Sequence, residues 1–385
     1  MRLSGRAIIV IGAGVAGLSV ARALALRGAD VTVLEQASEI AEVGAGIQIS
    51  PNGGRVFEAL GLGAAFEAAS MPSKAVQLAD HRGRRVLRMD LAAQGRFGLV
   101  HRADLISVLE QGARAAGVAL VTGCRVERVV PSEDGPRVTL AGGEDHPASF
   151  VIGADGLHSR ARAALLGAAA PAFTGQVAWR ALIRPVAPVP VEARVFMGPG
   201  RHVVAYPLRG GSLLNLVAVE ERAAWAEEGW NHPGDPDALR RAFAGFGEPV
   251  AGWLARVSTC MVWGLFKHPV APRWSAPGLA LLGDAAHPTL PFLAQGASMA
   301  LEDAFVLAQC LDKDGSDADA LAAYQAARAL RVQRIVEAAT ANARNYHLRD
   351  PVRLGAHAAL RIIDRVAPAR MLRRFDWLYD HDVTA

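Results

Sequence analysis

Hydrophobic residues fall along this chain in two different rhythms. Ala7-Ile8-Ile9-Val10-Ile11 is a continuous, largely β-branched run, the pattern of a central strand buried on both faces. Apolar positions then recur at helical spacing, at Val15, Leu18, Ala21, Leu24 and Ala25, and predict a helix that Gly28 ends. Val31-Thr32-Val33-Leu34 predicts a second strand with Glu35 at its end. Strand, helix and strand make a βαβ unit, hence a right-handed crossover and a parallel sheet. Short apolar runs at 118–122, 150–153 and 279–283 predict three returns to that sheet. Between residues 173 and 267 the pattern alternates instead. Segments 177–183, 202–206 and 213–219 predict antiparallel strands of a separate sheet, with Pro185, Pro188 and Pro190 interrupting its first part. Residues 297–310 are almost wholly apolar and predict a buried helix. An acidic loop at 311–319 and a second long helix at 320–346 follow.

The glycines placed at the strand ends carry the chemistry. Gly12-Ala13-Gly14-Val15-Ala16-Gly17 stands between the first strand and the first helix. Gly12 permits the tight turn, Gly14 lets backbone approach a pyrophosphate, and Gly17 lets the helix pack closely on the sheet. The helix start offers free N–H groups to phosphates. Glu35, 18 residues beyond Gly17, stands where an acid accepts from ribose hydroxyls. This fingerprint predicts a bound dinucleotide without choosing between a flavin and a nicotinamide one. Gly61-Leu62-Gly63 lacks a third glycine and follows no strand, so there is no second fingerprint.

Two later motifs resolve the choice by resemblance. The run from Val151 through Gly153-Ala154-Asp155-Gly156 to Arg160 resembles the Asp-Gly motif of the class A FAD-dependent aromatic monooxygenases. Gly283-Asp284-Ala285-Ala286-His287-Pro288 resembles their Gly-Asp motif. Residues 291–304, with Gly296 and Ala297 at a helix start, look like the family's flavin-facing loop and helix. His101-Arg102 resembles its arginine-bearing helix start, and Gly44-Ala45-Gly46-Ile47 the loop beside the flavin ring.

The resemblance implies a para-hydroxybenzoate hydroxylase-like α/β fold. Its Rossmann-like FAD-binding domain, with a parallel sheet, would comprise 1–72, 100–172 and 270–345. A smaller antiparallel-sheet substrate domain would comprise 73–99 and 173–269, followed by a C-terminal helical segment at 346–385. FAD would be held by Gly12, Gly14, Val15, Ala16, Gly17, Glu35, Gln36, Ala45, Gly46, Arg102, Val126, Asp155, Asp284, Gly296 and Ala297. NADH or NADPH would visit as electron donor, and oxygen would pass through a C4a-hydroperoxide to a small aromatic acid or phenol. Here His202-Val203-Val204-Ala205-Tyr206 resembles the segment that supplies a histidine and a tyrosine in the 3-hydroxybenzoate and salicylate hydroxylase branch. A histidine near its ordinary pKa can take a phenol proton at neutral pH. His202 and Tyr206 share a strand face only if no bulge intervenes. His287 is a further polar candidate beside the flavin, and Arg180 and Arg184 are candidates for a substrate carboxylate. Pro291 departs from the glutamine of some 3-hydroxybenzoate hydroxylases, so the ring itself stays open. A reductase of the same fold, or an FAD-holding sensor, is the alternative.

Composition narrows the setting. Hydrophobic residues make up 51% and charged residues 20% of 385, which is a globular balance. No apolar stretch is long enough to span a bilayer. A net charge of +4 with scattered arginines is no nucleic-acid footprint. Cys124, Cys260 and Cys310 suit neither a zinc site nor a disulfide framework, so no metal is expected and the thiols read as reduced core residues of a cytoplasmic protein. Dimers are common among similar proteins, so a homodimer is an expectation. Residues 349–374 mix arginines with Leu354, Leu360, Ile362, Ile363 and Val366, and are expected to dock as a terminal helix rather than lie on a membrane.

Overall fold

A computed structural model describes residues 2–40, 46–225 and 232–385. The first strand, Ala7–Ile11, lies between Asp30–Leu34 and Phe150–Gly153, parallel to both. Ala119–Val121 extends the sheet beyond Asp30–Leu34 and Leu279–Leu281 extends it beyond Phe150–Gly153, again in parallel. A short antiparallel strand, Ser275–Ala276, closes one edge. Three chain segments far apart in sequence therefore deliver their glycine-bearing turns to one end of one sheet. Helix Val15–Ala25 packs on it, and Gly296–Asp312 packs on that helix.

The alternating segments form an eight-stranded sheet whose middle is antiparallel. Ala172–Ile183 sits between Cys260–Lys267 and Leu213–Glu221, and Arg201–Leu208 joins Leu213–Glu221 to Ala193–Gly198. Ala75–Asp80 then pairs in parallel with Ala193–Gly198, an orientation the alternating pattern does not specify. The register of Arg201–Leu208 against Leu213–Glu221 is unbroken, which puts residues 202, 204 and 206 on one face. Valines and alanines of the other face pack under the helices Pro236–Ala242 and Val250–Ala255.

Both long helices run further than the sequence pattern suggests, to Gly296–Asp312 and Asp317–Tyr346. The second helix begins inside the acidic stretch, at Asp317, because Ser316 and Asp319 form a reciprocal capping box. The C-terminal helix Val352–Val366 docks on the edge strand Arg85–Asp90. Arg361 meets Asp80 at 2.8 Å, and Asp364 accepts from the Arg88 N–H at 2.8 Å and pairs with Arg85 at 2.9 Å. Among the described residues no helix is long and apolar enough to cross a membrane, and no cluster of metal-binding side chains occurs.

An ion cluster buried between the two long helices ties the layers together. Arg328 is fully buried and meets Asp303 at 2.8 Å and Glu302 at 2.6 Å. Burial alone would raise the Asp303 carboxyl, but His287 and Arg328 hold it down at about 2. Its stabilising contribution is therefore complete above the ordinary carboxylate range and is lost as pH falls from about 4 through about 2. Removing one partner leaves the opposite charges uncompensated in the interior. Arg328→Leu is expected to lower the unfolding free energy by about 3–5 kcal/mol, read from urea denaturation followed by circular dichroism. In Asp303→Asn the acid-induced loss of stability below about pH 4 should become shallower.

Candidate active site

At the strand ends the three glycine motifs touch. A Cβ on Gly12, which has φ +98°, would lie 2.7 Å from the Ala154 carbonyl oxygen. One on Gly17 would lie 1.8 Å from the Gly12 oxygen, and one on Gly283 would lie 3.0 Å from Ala16 Cβ. Gly14 is different: a Cβ there meets nothing within 4 Å. The space above Gly14 is open in the way a closely approaching pyrophosphate requires. The first-turn N–H groups at Val15 and Ala16 receive no side-chain cap from Gly14, so they remain available to an anion. These features fit FAD.

Glu35 clamps this turn from the end of its strand. One carboxylate oxygen accepts from the Ala13 N–H at 2.8 Å and the other from the Ala37 N–H at 2.9 Å. Gln36 beside it is exposed. Val126, by contrast, opens the strand Val126–Val130 and is buried in the core. Asp155 already has protein partners. Its oxygens accept from Ser159 Oγ and from the N–H groups of Arg160 and Ala161, at 2.5, 2.7 and 3.2 Å. The acid thus holds the start of the helix Arg160–Leu166 and fixes its loop against Gly12.

Asp284 is the exposed residue of an otherwise inaccessible turn, with Gly283 and Ala285 buried on either side. The surrounding protein raises its carboxyl, while His287 and Arg102 pull it back. Arg102 begins the helix Arg102–Ala115, and Gly296 and Ala297 begin Gly296–Asp312, whose first turn has no side-chain cap. Ala45 lies outside the described residues. Gly46 is packed against a ring, but the ring is the protein's own: a Cβ there would come within 2.3 Å of Tyr206. Its N–H donates to Asn215 Oδ1 at 2.9 Å.

The other candidates sit behind the site's surfaces. His287 is buried, 2.5 Å from Asp303 and against the Trp274 ring, so it braces the Gly283 turn. The Gly283 N–H donates to the same carboxylate at 3.1 Å, and Arg162 donates to the carbonyls of Ala285 and Ala286 at 3.0 Å. His202 is fully buried between Phe292 and Tyr346, and burial and His347 hold its imidazole well below the ordinary range. The expectation of a histidine near its ordinary pKa does not hold there. Burial raises the Tyr206 hydroxyl, which contacts Gln48, and keeps it protonated. Arg180 lies over the Trp263 ring and Arg184 is exposed; neither reaches the cavity described next.

That cavity, of about 410 Å³, lies between the eight-stranded sheet, the 291–295 loop and the C-terminal helices. Its size is in the range of small-molecule sites. Val76, Leu78, Val195, Met197 and Val204 make its floor, and Pro291, Phe292 and Gln295 bring in the loop that leads to Gly296. His357, Leu360, Met371, Arg374 and Phe375 form a wall that the sequence pattern did not assign to the site. Among the described residues Arg374 has no hydrogen-bond or ion-pair partner.

The glycines separate two effects of one substitution. Gly14→Ala is expected to leave the melting temperature unchanged and to weaken FAD binding by at least about tenfold, because its methyl meets only the ligand's space. Gly17→Ala should lose both, since the helix must move away from Gly12. Flavin absorbance after equilibrium dialysis and thermal unfolding of the FAD-free proteins would check both.

Comparison with known proteins agrees with this geometry. The FAD binding domain family FAD_binding_3 matches residues 6–339. The 3-amino-4-hydroxybenzoate 2-monooxygenase PtnB3 of Streptomyces platensis is 35% identical, over 97% of this chain and 95% of its own. The 3-hydroxybenzoate 6-hydroxylase of Polaromonas naphthalenivorans is 34% identical, over 98% and 96%. A variant of Klebsiella pneumoniae HpxO complexed with FAD superposes with a TM-score of 0.84 at 30% identity, covering 96% of this chain and 97% of that one. Strand-end glycines in mutual contact, an open approach above Gly14 and full-length similarity to flavin hydroxylases lead to one conclusion: the chain belongs to the FAD_binding_3 family of FAD binding domains.

Proposed function

We propose that this protein is a single-component FAD-dependent monooxygenase that uses NAD(P)H and oxygen to hydroxylate a small aromatic acid of the hydroxybenzoate type. The observation that carries this reading is the apolar cavity abutting the flavin-facing loop, with one unpartnered guanidinium, Arg374, in its lining. When bound, FAD supplies the redox chemistry, taking electrons from the nicotinamide and activating oxygen. The protein's part is to place the ring, exclude water and move a proton.

Gly12, Gly14, Val15, Ala16 and Gly17 would hold the pyrophosphate, Glu35 the ribose, and Asp284 with Arg102 the chain leading to the ring system. The uncapped start of the helix Gly296–Asp312 would face the charge of the reduced flavin. Valine, leucine and methionine side chains of the floor and wall keep the ring dry. Arg374 would pair with the substrate carboxylate, a fork-shaped donor set for a two-oxygen acceptor. Tyr206 would act through Gln48, which lines the cavity, and His202 would support the Phe292 and Tyr346 rings that line it too.

Oxygen uptake with the FAD-loaded protein and NADH or NADPH tests this on 3-hydroxybenzoate, 3-amino-4-hydroxybenzoate and salicylate, beside their carboxamides. The expected result is substrate-stimulated NAD(P)H oxidation with a product heavier by one oxygen. No stimulation by any ring would sink the proposal in favour of a sensor, and stimulation without product mass gain would favour a reductase. Arg374→Leu should raise KM for the carboxylate about tenfold or more, leave kcat within about twofold, and leave the carboxamide unaffected.

A further inference from the structure

Four side chains of the cavity floor stand in one row across the sheet. Val204 pairs with Val195, Val195 with Leu78, and Leu78 with Leu87, each directly opposite the next on neighbouring strands. Opposed residues point to the same face, so the row is a continuous apolar strip. Three strand spacings make it about 14 Å long. Val76 and Met89, a second opposed pair in the lining, widen it at the outer end.

The two ends of the row differ. At the Val204 end stands the flavin-facing loop: the Phe292 ring packs on that of His202, with centroids 5.2 Å apart, and His202 shares a strand face with Val204. At the Leu87 end, the strand Arg85–Asp90 is covered by the helices Val352–Val366 and Pro368–Arg373, which bring Ala356, Leu360 and Met371 into the lining. The first of these helices also adds His357. Burial and Arg353 hold that imidazole below the ordinary range, so it is uncharged at neutral pH.

A single ring does not fill this space. An apolar cavity of about 150 Å³ takes up benzene, whereas this one measures about 410 Å³. None of the described residues proposed to hold FAD lines it, so the volume is not the flavin's share. A ring held against the 291–295 loop would leave the row bare over the strands Ala75–Asp80 and Arg85–Asp90. Side chains facing an unfilled gap forfeit their contacts on that side. Water is a poor filler, because valine and leucine offer it no hydrogen-bond partner.

We propose that the substrate is a hydroxybenzoate-type acid with an apolar ring substituent, alkyl or aryl, that lies along the row from Val204 towards Leu87 beneath the C-terminal helix. This rests on the hydroxylase reading above and adds the part of the molecule that does not react. Burial of the substituent supplies binding energy away from the reacting carbon, which holds the ring at the loop and keeps water from it.

The test titrates FAD-loaded full-length protein with 3-hydroxybenzoate and with its methyl, ethyl, propyl, butyl and phenyl derivatives at each free ring position, by calorimetry at several temperatures. At one position the dissociation constant should fall about threefold for each added carbon up to butyl. The heat-capacity change of binding should grow more negative along the same series, and kcat/KM should rise with it. Ala356→Phe, which fills the outer half, should cut the preference for the butyl over the unsubstituted acid at least about tenfold. The ligand series on the parent decides alone if that variant does not fold. A dissociation constant lowest for the unsubstituted acid at every position overturns the proposal, and turnover of that acid leaves the hydroxylase reading standing. Affinity that climbs with the chain while kcat/KM falls overturns it too, since the row would then hold an apolar molecule other than the substrate. Affinity that climbs with no NAD(P)H oxidation by any acid sinks the hydroxylase reading and keeps the row as the site of an extended aromatic ligand.

Discussion

One guanidinium between two adjacent carboxylates organises this molecule. Glu302 and Asp303 are neighbours on a largely apolar helix, and their side chains leave it in different directions. Arg328 satisfies both. On one side Asp303 draws in His287 and the Gly283 N–H, which sets the turn that presents Asp284. On the other, Glu302 accepts from Asn52 at 2.7 Å and from Arg331 at 2.8 Å, and Asn52 in turn meets Gln295 at 3.2 Å, just before the flavin-facing helix. Desolvating three charges is expensive, and such clusters seldom add net stability over an apolar core. What this one provides is a fixed relation between the Gly-Asp turn, the 291–295 loop and the residues after Ile49.

Around that anchor, backbone contact does the remaining placing. The turn at Gly12, the loop at Ala154 and the turn at Gly283 are within van der Waals distance, and two of them would be pushed apart by a single methyl group. The eight-stranded sheet is attached through softer means. Apolar faces meet across the cavity, and the helix Val352–Val366 is pinned by arginine–aspartate pairs along the edge strand. The groove that suits FAD is thus rigid by steric exclusion, and the cavity beside it is assembled from side chains far apart in sequence, from Gln48 to Tyr379.

Features written in local sequence were legible before the structure. The βαβ unit, the strand-end glycines and the alternating sheet each depend on a rhythm or a spacing within a few residues. Contacts between distant residues were not. Gly46 reads as a close approach to a planar ring, and nothing nearby in sequence says that the ring is Tyr206. His202 and His347 are separated by 145 positions. Asp155 has the look of a ligand contact, and nothing nearby in sequence says that it also accepts from the backbone of the helix that follows. The parallel pairing of Ala75–Asp80 is equally invisible in a two-residue alternation. One signal was available and unused: two consecutive acids in an almost wholly apolar helix require a buried cation, and Arg328 lies in the next helix.

The wall formed by Met371, Arg374 and Phe375 belongs to neither large sheet. Exchanging those side chains changes the shape and charge offered to a ring without disturbing the strand-end turns or the Arg328 cluster. The choice of molecule and the handling of electrons are therefore separable inheritances in this architecture, and a lineage can drift from one aromatic acid to another while its redox machinery stands still.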